Sequence, residues 1–351
     1  MTELISPFDD EAIERLRQQH RLDRQHVRVL RNRLFKHFRP DAAAVADFPL
    51  RDSLRCHALE LYRRFDSEVD GATKLLFRTD TGMLIESVIL RIATGRTTLC
   101  VSSQVGCAAA CDFCATGKMG IARSLHYTEI LDQVLQAGQL LAAEGGSLDN
   151  IVFMGMGEPF HNEANLIKTI QTLTAPDHFN RSPSRILVST VGVSDAMLRM
   201  AQRFPKVNLA LSLHSADQST REQIIPLARR YPLEQLRDTI ANCNRIQERE
   251  VMIEYLMLSG VNDAAIDIER LTRWLDGLCV HLNLIPYNPI EDAPHLRGTA
   301  PERIVKFADA MKSHGVKTTV RYSLGRDIDA ACGQLVRKEN RAYAMNITEM
   351  A

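Results

Sequence analysis

Apolar and polar positions alternate along this chain in three textures. Over residues 8–65 the apolar positions recur at intervals of three and four. Val27, Leu30, Leu34 and Phe38 form one seam with arginines around it. Leu54, Leu59, Leu61 and Tyr62 mark a second amphipathic stretch between Leu50 and Phe65. The spacing predicts a small helical domain over residues 1–68. Pro40 should end its first long helix, because it lacks an amide proton and clashes with the preceding turn. From Ala72 the period shortens to two. Lys74–Arg78, a turn at Asp80-Thr81-Gly82 and Met83–Leu90 predict a β-hairpin, with a further turn at Thr94-Gly95.

The third texture fills the rest. Short apolar runs at 97–102, 150–154, 185–190, 207–213, 251–257 and 280–285 alternate with helical periods near 127–144, 163–174, 194–203, 233–247, 263–277 and 301–314. A last run lies at 316–322. Such alternation predicts parallel βαβ units. Six of them predict an α/β fold, a partial (β/α)6 barrel over residues 69–335 with the hairpin at its N-terminal end. Residues 336–351 show no period and read as a tail.

Composition changes little. The chain is 45% hydrophobic and 25% charged, as ordinary soluble proteins are. No apolar run reaches the roughly 18 residues of a membrane span, and the N-terminus lacks the build of a signal peptide. A cytoplasmic location follows as an expectation. Thiols stay reduced there, so grouped cysteines read as metal-binding or catalytic. Net charge is zero, yet residues 15–39 carry nine Lys or Arg against Asp23 alone. Such a patch can neutralise several nucleic-acid phosphates; a solvated helical face is the ordinary alternative.

The densest chemistry is Cys107-Ala-Ala-Ala-Cys111-Asp-Phe-Cys114. Three thiols at offsets of four and three can hold three irons of a cubane cluster and leave the fourth open to a small molecule. Two plainer readings compete. The same offsets put three cysteines on one helical face as small hydrophobes. Zinc also favours thiolates, but the nearest fourth ligands, Cys100 and His126, fall outside the usual paired spacing. Other polar words fall at strand ends, where β/α folds gather function. Gly155-Met156-Gly157-Glu158-Pro159 follows the second parallel strand and fails the dinucleotide fingerprint, since Phe160 replaces its third glycine. Ser189 ends the next strand, Ser212-Leu213-His214 the one after, and Asn288 follows the sixth. Hydroxyl, imidazole and amide groups on one rim suit a nucleoside-bearing cofactor. Cys56, Cys243 and Cys279 lie in regular patterns and read as buried thiols.

The cysteine motif resembles that of the radical S-adenosylmethionine (SAM) superfamily. Flanking words narrow the resemblance to the adenosine-methylating RlmN/Cfr family: Cys-Val-Ser-Ser-Gln-Val-Gly-Cys at 100–107, Phe-Met-Gly-Met-Gly-Glu-Pro at 153–159, Ser-Leu-His-Ser at 212–215 and Asp-Ile-Asp-Ala-Ala-Cys-Gly-Gln-Leu at 327–335. The resemblance implies a [4Fe-4S] cluster on Cys107, Cys111 and Cys114. It implies SAM on Gly157, Glu158, Ser189, Ser212, Leu213, His214 and Asn288. By the same resemblance, Cys332 becomes S-methylated, Cys100 releases the product through a transient Cys100–Cys332 disulfide, and Glu86 is the base. The implied reaction methylates C2 or C8 of an adenosine in 23S rRNA, with tRNA as a further substrate. Flavodoxin or ferredoxin would donate electrons to a monomer. A radical SAM enzyme with a non-RNA substrate and a zinc-stabilised RNA-binding protein remain the alternatives.

Overall fold

A computed structural model describes residues 4–120 and 122–335; the expected tail at 336–351 lies outside them. Three short helices open the chain: α1 (Asp10–Gln19), α2 (Arg24–Arg31) and α3 (Asp41–Val45). Asp9 and Asp23 cap the first two by accepting a backbone N–H each, satisfying donors that a helix start leaves open. Leu30, Leu34 and Phe38 of the expected seam are buried. That helix stops before Pro40. After α2 the turns widen over Asn32–Lys36, and Phe38 adopts a left-handed conformation, φ 47°.

The second helical expectation fails. Residues 60–66 form strand β1 (Glu60–Asp66), paired antiparallel with β2 (Ala72–Arg78). Leu61 and Tyr62 are 44% and 43% exposed, so their helix-like spacing never served a buried face. Their run of aromatic and arginine side chains suits a strand at a sheet edge. The sheet therefore begins inside the segment expected to be helical.

The predicted hairpin is present as β2 and β3 (Leu84–Arg91), and β4 (Thr97–Cys100) adds a third antiparallel pairing. Gly82 and Gly95, both at φ 82°, make the turns that need left-handed backbone. A two-stranded ribbon, β5 (Gln104–Gly106) and β6 (Ala122–Ser124), brackets the cysteine segment. Next come α4 (Tyr127–Ala143), β7 (Asn150–Phe153), α5 (Glu163–Thr174), β8 (Ile186–Thr190), α6 (Ser194–Arg203) and β9 (Asn208–Ser212). Then follow α7 (Gln218–Ile224), α8 (Leu233–Gln247), β10 (Val251–Met257), α9 (Ala265–Leu275), β11 (Val280–Pro286), α10 (Pro301–Ser313) and β12 (Thr318–Val320).

One sheet runs β1-β2-β3-β4-β7-β8-β9-β10-β11-β12 and is parallel from β4 onward. Each parallel step returns through at least one helix, which gives the six expected β/α units. The edge strands β1 and β12 do not pair, so the sheet stays open. Helix α7 was not anticipated. Its sequence, Gln-Ser-Thr-Arg-Glu-Gln-Ile, has no apolar period to read. Among the described residues no helix is long and apolar enough to cross a membrane.

The N-terminal helices share one continuous apolar core with the sheet layer. Gly138 on α4 makes room for Phe38, whose ring would lie 2.3 Å from any Cβ there. Beside it His57 bridges Asp41 of α3 (2.8 Å) and the buried Asp132 of α4 (2.7 Å). Burial works against a charged imidazole, but the two carboxylates win and raise His57 to about 10. A group raised in the fold stabilises fully below its ordinary value of 6.5 and loses that contribution as pH climbs through the raised value. Thermal unfolding should therefore show a melting temperature that declines by several degrees between about pH 7 and 10. His57→Gln should melt lower at pH 7 and lack that decline; parallel curves for both proteins would refute the assignment.

Candidate active site

The cysteine segment is shaped by backbone contacts before any ligand arrives. Ala110 takes a left-handed turn, φ 54°, and the amide of Cys114 donates to Cys111 O at 3.2 Å. The Asp112 amide donates to Ile224 O on α7 (2.9 Å), and Ala115 donates to Gly333 O (2.8 Å). Gly117 closes the turn behind it: a Cβ there would sit 2.9 Å from the Cys111 nitrogen, so only glycine permits the approach. The helical-stripe alternative ends here, because these residues form a loop.

A cavity of about 570 Å³ opens between the strand ends, and Cys107, Cys111, Cys114, Cys100 and Cys332 all line it. Of the other expected residues, Gly157, Glu158, Ser189, Ser212 and His214 stand on its wall. Leu213, Asn288 and Glu86 do not line it. Leu213 is wholly buried beneath the rim. Asn288 stands behind the Cys332 loop, donating from Nδ2 to Cys332 O (3.1 Å) and Ser323 Oγ (3.0 Å), with its Oδ1 buried and without a hydrogen-bond partner among the described residues.

Glu86 is buried on β3, on the same sheet face as the cavity-lining Val88 and Leu90. The Lys74 ammonium, also buried, lies 3.4 Å from its carboxylate and donates to Asp329 O on the Cys332 side at 3.2 Å. Removing one member of a buried pair of this kind costs about 3–5 kcal/mol.

Burial pushes the Cys107 thiol up to about 12 and Cys111 well above its ordinary value, and each feels the negative charge of its neighbours in the trio. Thiolates in such a setting need positive charge from a bound metal centre. Among the described residues, no three His, Cys, Asp or Glu side chains converge as one metal ion would require. Three thiols on one cavity have the donor chemistry a [4Fe-4S] cluster takes, one thiolate to each of three irons, with the fourth iron left without a protein ligand.

The remaining wall suits a nucleoside and an amino acid. His214 accepts the Leu256 N–H on Nδ1 (3.0 Å), which leaves Nε2 as the donor, and burial lowers it to about 3, so it stays neutral. The ring of Phe113, just before Cys114, meets it edge-on with centroids 4.8 Å apart. Burial raises Glu158 to about 7 although the amides of Val191 and Phe160 donate to its two oxygens.

Sequence reasoning missed three charged residues here. Glu254 on β10 accepts from Ser189 Oγ (3.0 Å) and Ser212 Oγ (3.4 Å), so one buried carboxylate orients both hydroxyls. Arg321 stands 3.6 Å from its other oxygen. Arg221 on α7 is fully buried, and burial lowers its guanidinium to about 10, still a cation near neutral pH. For Glu254 a signal existed, since a lone acid interrupts the apolar run Val251–Met257.

Cys100 ends β4, and Cys332 sits in the loop after β12 beside Gly333, φ 86°. Cys332 keeps accessible area because it opens onto the cavity, yet protein surrounds it, and that desolvation raises it to about 11. Cys100 is raised to about 12 by burial first and by the neighbouring Cys332 second. The two thiols open on the same cavity. All eight cysteines are free, so no disulfide joins this pair in the structure. Cys279, expected to be buried, is exposed at the turn before β11.

Comparison with known proteins gives the family. Residues 101–274 match the family model described as Radical SAM superfamily. A crystal structure of a radical SAM methyltransferase from Sphaerobacter thermophilus superposes with a TM-score of 0.88 at 38% identity, covering 92% of this chain and 96% of that one. A probable RNA methyltransferase of Rhodopirellula baltica is 63% identical over 96% of this chain and 89% of its own length. A probable dual-specificity RNA methyltransferase RlmN of Thermus thermophilus is 39% identical over 87% of each. The fold is that of a radical SAM enzyme. Within that superfamily the chain belongs to the RlmN-type RNA methyltransferases, which use a [4Fe-4S] cluster and SAM.

Proposed function

We propose that this enzyme methylates a ring carbon, C2 or C8, of an adenosine in 23S rRNA, that tRNA is a further substrate, and that it works as a cytoplasmic monomer reduced by flavodoxin or ferredoxin. One observation carries the reading: Cys100 and Cys332 open on the same cavity as the Cys107, Cys111 and Cys114 trio. A cluster and SAM serve any radical SAM enzyme. Two further thiols at the same mouth suit a reaction that must carry a methyl group on sulfur, because an aromatic amidine carbon cannot displace it directly.

Bound at this cavity, the cluster and SAM supply the methyl group and the means to activate its carbon. Cys107, Cys111 and Cys114 hold the cluster. Glu158, Ser189, Ser212 and His214 hold SAM, with Gly157, Leu213 and Asn288 shaping the rim. Cys332 gives up its proton and takes the methyl group on sulfur. Glu86 accepts the proton lost from the ring carbon, and Lys74 balances its charge. Cys100 then attacks the Cys332 sulfur. The S–S bond forms as the S–C bond breaks, and the electron pair leaving with carbon takes up a proton. An external reductant reopens the disulfide.

RNA is gripped by the helical N-terminus. Of its basic residues, Arg17, Arg31 and Arg33 are tied to Glu14, Asp10 and Asp47. Arg21, Arg24, Arg28, Lys36 and Arg39 make no ion pair among the described residues and are available to phosphates. The test is anaerobic reconstitution with SAM, reductant and unmodified 23S rRNA or tRNA. Mass spectrometry should find one methyladenosine, and NMR should place the methyl on C2 or C8. Methyl-free adenosine in both RNAs would sink the proposal.

A further inference from the structure

The reaction above leaves Arg221 without a task. It is among the largest fully buried side chains and has no ion pair among the described residues. Its fork is half used: Nε donates to Leu213 O (3.1 Å) and Nη2 to Val191 O (2.6 Å), tying together the loops that follow β9 and β8. Nη1 is buried and has no hydrogen-bond partner among the described residues. A buried cation with an unsatisfied nitrogen is costly, and a neutral amide could tie two loops together without that cost.

The surroundings say what the charge faces. Helix α7 backs the Cys111 side of the cysteine loop. Its last residue, Ile224, accepts the Asp112 amide at 2.9 Å. Ile224, Ile225 and Ala228 pack with Cys111 in one apolar cluster. The electrostatic influence of Arg221 reaches Cys111 and His214. A fixed cation thus sits behind one of the trio, on the protein side, in a dry setting where charge acts strongly.

We propose that Arg221 is a positioning residue that raises the reduction potential of the cluster, by holding its charge and an unused Nη1 donor on α7, the helix that packs behind the Cys111 loop. The inference rests on Cys107, Cys111 and Cys114 being the cluster's ligands. Each electron added to a thiolate-held cluster makes it more negative, so a nearby cation stabilises the reduced form more than the oxidised one. Net charge, hydrogen bonds to sulfur and solvent exposure are the levers that set such potentials.

The experiment is an EPR-monitored redox titration of full-length, anaerobically reconstituted protein, wild type against Arg221→Gln. The midpoint potential of the variant is expected to move downward, with iron content and SAM affinity within about twofold of wild type. An unchanged potential at full iron content overturns the proposal. So does an unchanged potential with weakened SAM binding, which would put Nη1 on SAM instead. Should the variant fail to hold iron, wild-type protein labelled with 15N-arginine decides. Electron–nuclear double resonance of its reduced cluster should show a 15N coupling that Arg221→Lys removes, and a spectrum without that coupling overturns the idea. Wild-type protein that takes up no iron would overturn the ligand assignment itself, and this inference with it.

Discussion

Cys332→Ala should abolish methyl transfer, by about 10³-fold or more, while iron content and SAM binding stay at wild-type levels. The size follows from the role: removing a covalent nucleophile removes the reaction path, and its neighbours cannot substitute. Selectivity follows from the geometry. The Cys332 loop is held through carbonyls, with the Asn288 side-chain amide and the Ala115 N–H donating to the carbonyls of Cys332 and Gly333 and the Gln334 side-chain amide donating to Pro289 O. None of these bonds uses the Cys332 sulfur, so alanine leaves the loop in place. Intact-mass measurement adds a second readout. Wild-type protein incubated with SAM should gain a methyl group on residue 332, and the variant should gain none. Unchanged turnover in Cys332→Ala would point to a radical SAM enzyme that needs no sulfur carrier.

The contrast between what could be read from the sequence and what could not has a physical cause. The cysteine trio lies within eight residues, and local spacing is visible in sequence. So are parallel β/α units, because a buried strand and an amphipathic helix differ in period. Long-range partnerships leave no such mark. Lys74 meets Glu86 only because β2 and β3 pair in a particular register, and nothing local to either residue announces the pair. Arg221 was invisible for a related reason: α7 is short, polar and capped by Asp217, so its burial depends on the cysteine loop folding over it. The error at β1 is different. Leu61 and Tyr62 kept a helix-like spacing by accident on an exposed edge, where apolar period carries no information about burial. The sequence shows the basic patch but not its ion pairs: Arg17, Arg31 and Arg33 meet Glu14, Asp10 and Asp47 only once the helices are folded.

Cys100→Ala should behave differently from Cys332→Ala, and the difference separates the two thiols by role. Cys332 can still take up the methyl group and form its bond to the base, but no thiol stands ready to cleave it. The expected product is a covalent protein–RNA adduct, seen as a slower band on a denaturing gel, with product formation stopping near one turnover. Cys100 is only 9% exposed and opposes Val88 across β3 and β4, so a solvent thiol reaches its place poorly and rescues slowly. Burial raises Cys100 to about 12, so it rests as a thiol at neutral pH and must lose its proton to attack. In wild-type protein, adduct release should therefore accelerate as pH rises toward that value, up to tenfold per unit where deprotonation limits it. Quenched-flow sampling of the adduct between pH 7 and 9 would measure this slope. Free turnover by Cys100→Ala without any trapped RNA would remove Cys100 from the reaction and leave Cys332 to be released by some other group.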